Sequence, residues 1–413
     1  MNTKIITLKD IVELVIDYRG KTPKKLGGKW SEFGIKALSA KNIKNGEIVR
    51  KDSIRYVDEE LYYKWMKNEI EKGDILLTSE APFGEIYYWE SDEKIVLSQR
   101  IFGIRCNSNK VYPKFIYFYM LSPMFQWELK SRATGTTVKG LRQPELLKCK
   151  LNIPDYDNQT KIAKILSNIE NKIKVIKKIN HNLDSILKNI FNEWFIKFSP
   201  FKGSIFKNSE LGNIPMDWEI KSLQDISKNI ICGKTPSTKN EEYWGDEIPF
   251  VTIPDMHNSI YVFNTERYLS KKGSESQIKK LIPPNSICVS CIATAGLVIL
   301  TSKYCQTNQQ INTIICEDNV SPYFIYLYMV NLSKYIQLLG SSGSTTNNLN
   351  KKEFSKIKII LPPNKIMKKF SNLVKPLFIK IKKNELEIEK LINLRDLLLP
   401  KLMSGEINVS KLK

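Results

Sequence analysis

The chain has 413 residues, 64 Lys+Arg against 43 Asp+Glu, and a formal charge of +21. At ~150 residues per domain this length fits two or three domains, and 42% hydrophobic with 10% aromatic residues excludes disorder as the main state. No apolar run reaches the ~18–20 residues that span a bilayer, and Met1–Asp10 holds no apolar core of signal-peptide length, so a cytoplasmic protein without a membrane partner is expected.

The first landmarks along the chain are Leu8-Lys9-Asp10-Ile11, Gly20-Lys21-Thr22-Pro23, and then Trp30 and Ile35, which opens a short apolar run. Strand-like runs follow at Asp74–Thr78 and Ile86–Trp89, bounded by Gly, Pro and Asn. Gln99-Arg100-Ile101 comes next, and Pro113 opens a helix expected over Lys114–Leu121. Its aromatic stripe is expected in a core rather than on a base-stacking face. Gly135-Thr136-Thr137, Leu141 and Ile153-Pro154 complete this stretch. From Gln159 to Lys197 apolar residues then recur at alternating steps of three and four: Ile162, Leu166, Ile169, Ile173, Ile176, Asn180, Leu183, Leu187, Ile190 and Trp194. That is coiled-coil spacing. Ser199-Pro200 is expected to end the helix, whose length at ~1.5 Å per residue is about 58 Å.

Beyond position 200 the same landmarks return in the same order. They are Leu223-Gln224-Asp225-Ile226, Gly233-Lys234-Thr235-Pro236, Trp244 and Ile248, Asn285–Val289 with a strand over Ile287–Ser290, and Gln309-Gln310-Ile311. Ser321-Pro322 then opens a helix expected over Tyr323–Leu332, followed by Gly343-Ser344-Thr345, Leu349 and Leu361-Pro362. The offset between matching positions drifts from 215 to 208, as small loop deletions make it. The chain is an internal duplication. A second helical series closes it: Phe370, Val374, Leu377, Ile381, Asn384, Ile388, Leu391, Arg395 and Leu398. Within it Pro376 predicts a kink or a later start, and Pro400 a stop. Each seam carries one Asn, Asn180 and Asn384, a residue that costs stability there while fixing register. The expected fold class is α+β: two α/β domains related by duplication, 1–156 and 200–364, with two long antiparallel coiled-coil helices, 157–199 and 365–413.

Catalytic constellations are mostly absent. Gly-Lys-Thr occurs twice, but Val15 and Lys228 stand where a P-loop needs its first Gly, and Pro23 and Pro236 follow the Thr where free helical N–H groups should begin. No G-x-G-x-x-G supports a dinucleotide site. Pro154-Asp155 with Glu170-Asn171-Lys172 formally fits a nuclease metal motif, yet Glu170 and Lys172 fall on the long helix and are expected on its solvated face. Cys288-x-x-Cys291 lacks a second close pair, and Cys305, Cys316 and His257 are scattered, so buried thiols are expected rather than zinc. Neither His181, on a helix flank, nor His257 has a Ser or Cys partner at recognisable spacing. The seven Cys fit reduced thiols better than a disulfide framework. The positive surplus suits a polyanion, whose counterions it would release, although only nine of the 64 basic residues are Arg and a biased codon supply accounts for abundant Lys equally well.

Three motifs carry a resemblance: Ile214-Pro215-Met216-Asp217-Trp218 opening the second copy, the two Gly-Lys-Thr-Pro loops with a downstream Trp, and the closing run Leu397-Leu398-Leu399-Pro400-Lys401-Leu402-Met403-Ser404-Gly405-Glu406-Ile407. Over essentially its whole length the chain resembles the specificity subunit of type I restriction-modification systems. It departs in two places: the first copy has no Ile-Pro-x-x-Trp, and the first helix ends in Phe191-Asn192-Glu193-Trp194-Phe195. The resemblance implies that each globule is a target-recognition domain reading one part of a split, asymmetric double-stranded DNA sequence. It implies that the helices act as a ruler and dock adenine methyltransferase subunits, and that a further subunit brings restriction and translocation. S-adenosylmethionine, ATP and Mg would sit on those partners, leaving this chain non-catalytic. The alternatives are a fused methyltransferase or nuclease with unrecognised residues, and a coiled-coil scaffold without a DNA role.

Candidate DNA contacts are the polar and basic loops common to both copies, because loops on a rigid scaffold carry recognition. They are Lys21, Thr22, Lys24 and Lys25 with Lys234, Thr235, Ser237 and Lys239; Thr136, Thr137 and Lys139 with Ser344, Thr345 and Asn347; and Arg100 with Gln310. The bland reading makes the same loops turns with solvated tips. The first globule holds seven Arg and the second only Arg267. Since Arg pairs with guanine and Asn or Gln with adenine, the second half-site is expected to lean less on guanine.

Overall fold

Near-continuous apolar runs predict strands covered on both faces, and Ile75–Ser79 and Ile101–Cys106 are such strands. The computed structural model describes residues 3–135, 139–257, 259–341 and 349–410. It divides into two compact units, Met1–Lys172 with Leu391–Lys413, and Ile173–Lys390.

In the first unit a four-stranded antiparallel sheet runs in the order Val12–Asp17, Ile101–Cys106, Ile75–Ser79, Phe83–Tyr88. Side chains alternate across its faces. Ile75, Leu77, Phe102 and Ile104 pack with Phe115 and Phe118 of the helix Pro113–Leu121. Ile16, Leu76 and Ile101 pack on the opposite side with Tyr62 and Trp65 of the helix Glu59–Trp65 and with a three-stranded sheet, Arg55–Val57, Ile35–Leu38, Ile95–Leu97. Ile35–Leu38 is antiparallel to Arg55–Val57 and parallel to Ile95–Leu97. The aromatic stripe of Pro113–Leu121 is buried, so it builds core.

The second unit repeats the plan. Its larger sheet runs Ser227–Cys232, Ile311–Cys316, Ile287–Ser290, Val298–Thr301, Tyr261–Val262, and its smaller one Trp244–Gly245, Arg267–Leu269, Ile248–Val251, Gln306–Thr307. Pairing registers coincide as well. Ile101 faces Thr78 and Ile104 faces Ile75 in the first copy; Ile311 faces Ser290 and Ile314 faces Ile287 in the second. Even a β-bulge recurs, skipping Glu13 in one copy and Lys228 in the other. The duplication therefore extends to backbone geometry.

The long helices are Tyr156–Phe191 and Asn364–Ser404. In the first unit Ile162, Ala163 and Leu166 share a core with Leu399, Leu402 and Met403. In the second, Leu187, Phe191 and Phe195 share one with Phe370, Val374, Phe378 and Ile381. Late residues of one helix meet early residues of the other, the antiparallel sense. Three expectations are corrected. The first helix gives way to a π-turn over Asn192–Ile196 and closes at Phe198, whose φ is 52°, before Ser199-Pro200. Pro376 neither breaks nor delays the second helix: it and Asn372 are exposed, so the carbonyl left without a donor faces water. Pro400 is no stop, because the helix runs on to Ser404 and ends where Gly405 takes φ 80°, the left-handed terminus a glycine supplies without strain.

Candidate nucleic-acid interface

In the second globule the Gly-Lys-Thr-Pro loop leans on the loop after the strand Gln306–Thr307. A Cβ on Gly233 would lie 2.1 Å from the Asn308 carbonyl oxygen, so only glycine permits this approach. The Lys234 amide donates to the Thr307 carbonyl at 2.9 Å, and the Thr235 hydroxyl donates to Gln309 Oε1 at 2.7 Å. Next to it the Trp244 indole N–H donates to the Ser237 carbonyl at 3.3 Å. Gln310 is half-buried, its Oε1 accepting from Asn308 Nδ2 at 2.9 Å. Buried Gln306 braces the loop from beneath through Gln277 and the Ser274 carbonyl. The structure thus gathers Lys234, Thr235, Ser237 and Gln310 on one rim, where Lys234, Ser237 and Lys239 are exposed.

In the first globule the matching loop is tied down more tightly. Lys21 Nζ donates to the Trp65 carbonyl at 2.8 Å and lies 4.3 Å over the Tyr18 ring. Burial first, and nearby Lys67 second, lower its pKa. Lys21 is therefore occupied by the scaffold. Thr22 Oγ1 accepts the Lys25 amide at 3.3 Å, Lys25 Nζ donates to the Gly20 carbonyl at 2.8 Å, and Lys24 is exposed. Arg100 stands at φ 67° on the turn leaving Ile95–Leu97, 3.4 Å from Glu80. With Trp30, Lys41, Ser53, Arg55 and Gln99 it lines an open cleft of about 320 Å3. Lys139 is exposed beside the Thr134–Gly140 bridge. Thr136, Thr137, Ser344, Thr345 and Asn347 lie outside the described residues.

Sequence reasoning passed over one feature present in both globules. The Arg55 guanidinium lies 5.2 Å from the Trp30 ring centroid, and the Arg267 guanidinium 3.5 Å from that of Trp244. A signal was available: Arg55-Tyr56-Val57 and Arg267-Tyr268-Leu269 stand at the repeat's own offset of 212.

Other singled-out residues have structural roles. Glu170 is not a solvated helix residue as expected; it is half-buried and accepts the Tyr117 hydroxyl at 3.2 Å, because that part of the helix packs on its globule. Cys288 and Cys291 are buried free thiols, both pushed up to about 12 by burial. His181 and His257 are exposed, and among the described residues no group of three His, Cys, Asp or Glu is placed to hold a metal. Asn384 Nδ2 donates to Asn180 Oδ1 at 2.6 Å inside the second unit. Glu385 reaches from the helix to the globule, accepting the Ile260 and Tyr261 amides at 2.8 and 2.9 Å. Burial pushes its carboxyl up to about 7.

One α/β module is folded twice, and each copy raises cations and amides at the end of its small sheet, which defines a protein built from two related domains. The model of the type I restriction modification DNA specificity domain matches residues 2–185 and 215–392, and the chain belongs to that family. It is 35% identical over 404 residues to the type I restriction enzyme HindI specificity subunit of Haemophilus influenzae, covering 83% of this chain and 88% of the relative. To the MjaIX specificity subunit of Methanocaldococcus jannaschii it is 31% identical over 347 residues, covering 83% and 79%. The S subunit of a type I restriction-modification system from M. genitalium matches with a TM-score of 0.59 at 15% identity, over 97% of this chain and 96% of that one, which shows the fold. This is a non-catalytic DNA specificity subunit. None of its described helices is long and apolar enough to cross a membrane.

Proposed function

We propose that the chain recognises a bipartite, asymmetric double-stranded DNA target. The globule 1–156 reads one segment and the globule 200–364 the other. The helices 157–199 and 365–413 dock adenine methyltransferase subunits, and restriction and translocase subunits join through these. S-adenosylmethionine, ATP and Mg belong to the partners, and the complex works in the cytoplasm. The observation that carries this reading is one backbone frame presenting different side chains at matched positions. Strand register pairs Leu38 with Leu97 and Val251 with Thr307, which sets Arg100 and Gln310 three residues further on at equivalent places. A frame used twice with altered rim residues suits two unlike half-sites. Lys24, Lys25, Lys139, Lys234, Thr235, Ser237, Lys239, Arg100 and Gln310 are the contacts we propose among the described residues, with Asn180 and Asn384 setting helix register.

The test is to co-express the chain with a methyltransferase partner of its system and map modified adenines across the host genome. Two specified segments flanking a gap of fixed length are expected; a single contiguous motif would refute the reading. Purified chain incubated with DNA and S-adenosylmethionine or magnesium should be inert, and turnover would favour the fused-enzyme alternative.

A further inference from the structure

Of the nine Arg in the chain, Arg19, Arg100, Arg105, Arg132 and Arg395 each hold a carboxylate. Arg50, Arg142, Arg55 and Arg267 do not: among the described residues no ion pair joins any of the four to a carboxylate, all four are exposed, and of them only Arg55 and Arg267 also rest on an aromatic ring. Those two lay the guanidinium over a tryptophan, at 5.2 Å on Trp30 and 3.5 Å on Trp244. The rings are themselves held, Trp30 against Trp65 at 6.0 Å and Trp244 against Phe250 at 5.4 Å with its indole N–H on Ser237. Register makes the two arginines equivalent, since Arg55 faces Ala37 and Arg267 faces Phe250 at the same step of the same small sheet.

A guanidinium stacked on an aromatic face keeps its five N–H donors in the plane of the fork and loses little further entropy when they bind. Without a carboxylate those donors are open to an oxyanion. Around this fixed pair the neighbours change: Arg100 becomes Gln310, Lys41 becomes Pro254, Ser98 becomes Asn308. Two domains that read unlike half-sites can share only what the half-sites share, and that is the phosphate backbone. Phosphate contacts position a protein on the duplex without specifying bases.

We propose that Arg55 on Trp30 and Arg267 on Trp244 are the phosphate anchors of the two globules, while the altered rim positions select bases. This rests on the bipartite-target reading above. The test uses the chain in complex with its methyltransferase partner and two ~40-bp duplexes, one carrying the sequence returned by modified-adenine mapping and one scrambled. For R55Q and R267Q we expect binding to both duplexes to weaken about tenfold, the slope of log affinity against log salt to fall by about one, as loss of one phosphate contact requires, and the methylated sequence to stay the same. R55K and R267K keep the charge without the fork; they should retain the slope while losing part of the affinity. Unchanged affinity and slope in the Gln variants, with melting temperatures equal to wild type, would overturn the inference. So would an altered methylated sequence, which would make these arginines base readers. Failure of the parent reading is distinct, because then the wild-type complex returns no bipartite sequence at all.

Discussion

Gly233 is where the rim tolerates least change. An added methyl would meet the Asn308 carbonyl at 2.1 Å and Thr307 Oγ1 at 2.3 Å, at the end of the strand Gln306–Thr307 and the start of the loop that Thr235 leans on. Gly233→Ala should therefore cost about 2–3 kcal/mol, the upper range of single-residue strain, and thermal unfolding of the purified chain would read it. Glu385 gives a pH dependence with a definite sign. Its carboxyl is raised from 4.5 to about 7, chiefly by burial, so the folded protein holds this proton more tightly than the unfolded chain. The stability linked to it is full below about pH 4.5, declines as pH rises, and is lost above about pH 7. Urea midpoints of wild type and Glu385→Gln, measured from pH 5 to 8, should diverge across that window, the wild type losing ground as pH rises; a constant difference would remove the argument.

At the scale of elements, the paired Asn180 and Asn384 set up a double-mutant cycle. Asn384 is 2% exposed, so Asn180→Ala strands a buried amide and should cost about 1–3 kcal/mol. Replacing both with Leu should recover that loss or exceed wild type, because polar seam residues give up stability for register. Chemical denaturation of wild type, Asn180→Leu, Asn384→Leu and the double Leu variant measures the coupling. Pro376→Ala tests the other correction: with the helix unbroken around an exposed proline, alanine restores a backbone hydrogen bond and should stabilise by about 1–3 kcal/mol. The seam itself was legible because apolar spacing of three and four residues is a local property. The true helix ends were not, since whether Pro376 and Pro400 interrupt depends on whether water can reach the carbonyls they leave behind, and Gly405 supplied the stop instead.

For the whole molecule, the uneven arginine share becomes a statement about the target. If Arg267 anchors phosphate, the globule 200–364 has no arginine left for guanine. Mapping of modified adenines should then return a second segment poorer in guanine than the first, and a guanine-rich one would contradict it. The duplication, the α+β class and the family were all readable from sequence, because repeat landmarks, strand runs and heptad spacing are written in order along the chain. The candidate contacts were readable as loops, the Gly-Lys-Thr-Pro pair and the Arg100/Gln310 positions, but not the state of their side chains: Lys21 is held by the Trp65 carbonyl, and outside those loops Glu170 is held by the Tyr117 hydroxyl. Tertiary structure alone decided which cations remain open, that Arg55 and Arg267 rest on Trp30 and Trp244, and that the first helix ends in the second unit's core while Leu399, Leu402 and Met403 of the closing run are buried in the first. Those facts depend on contacts between residues far apart in the chain, whose energies no local pattern records.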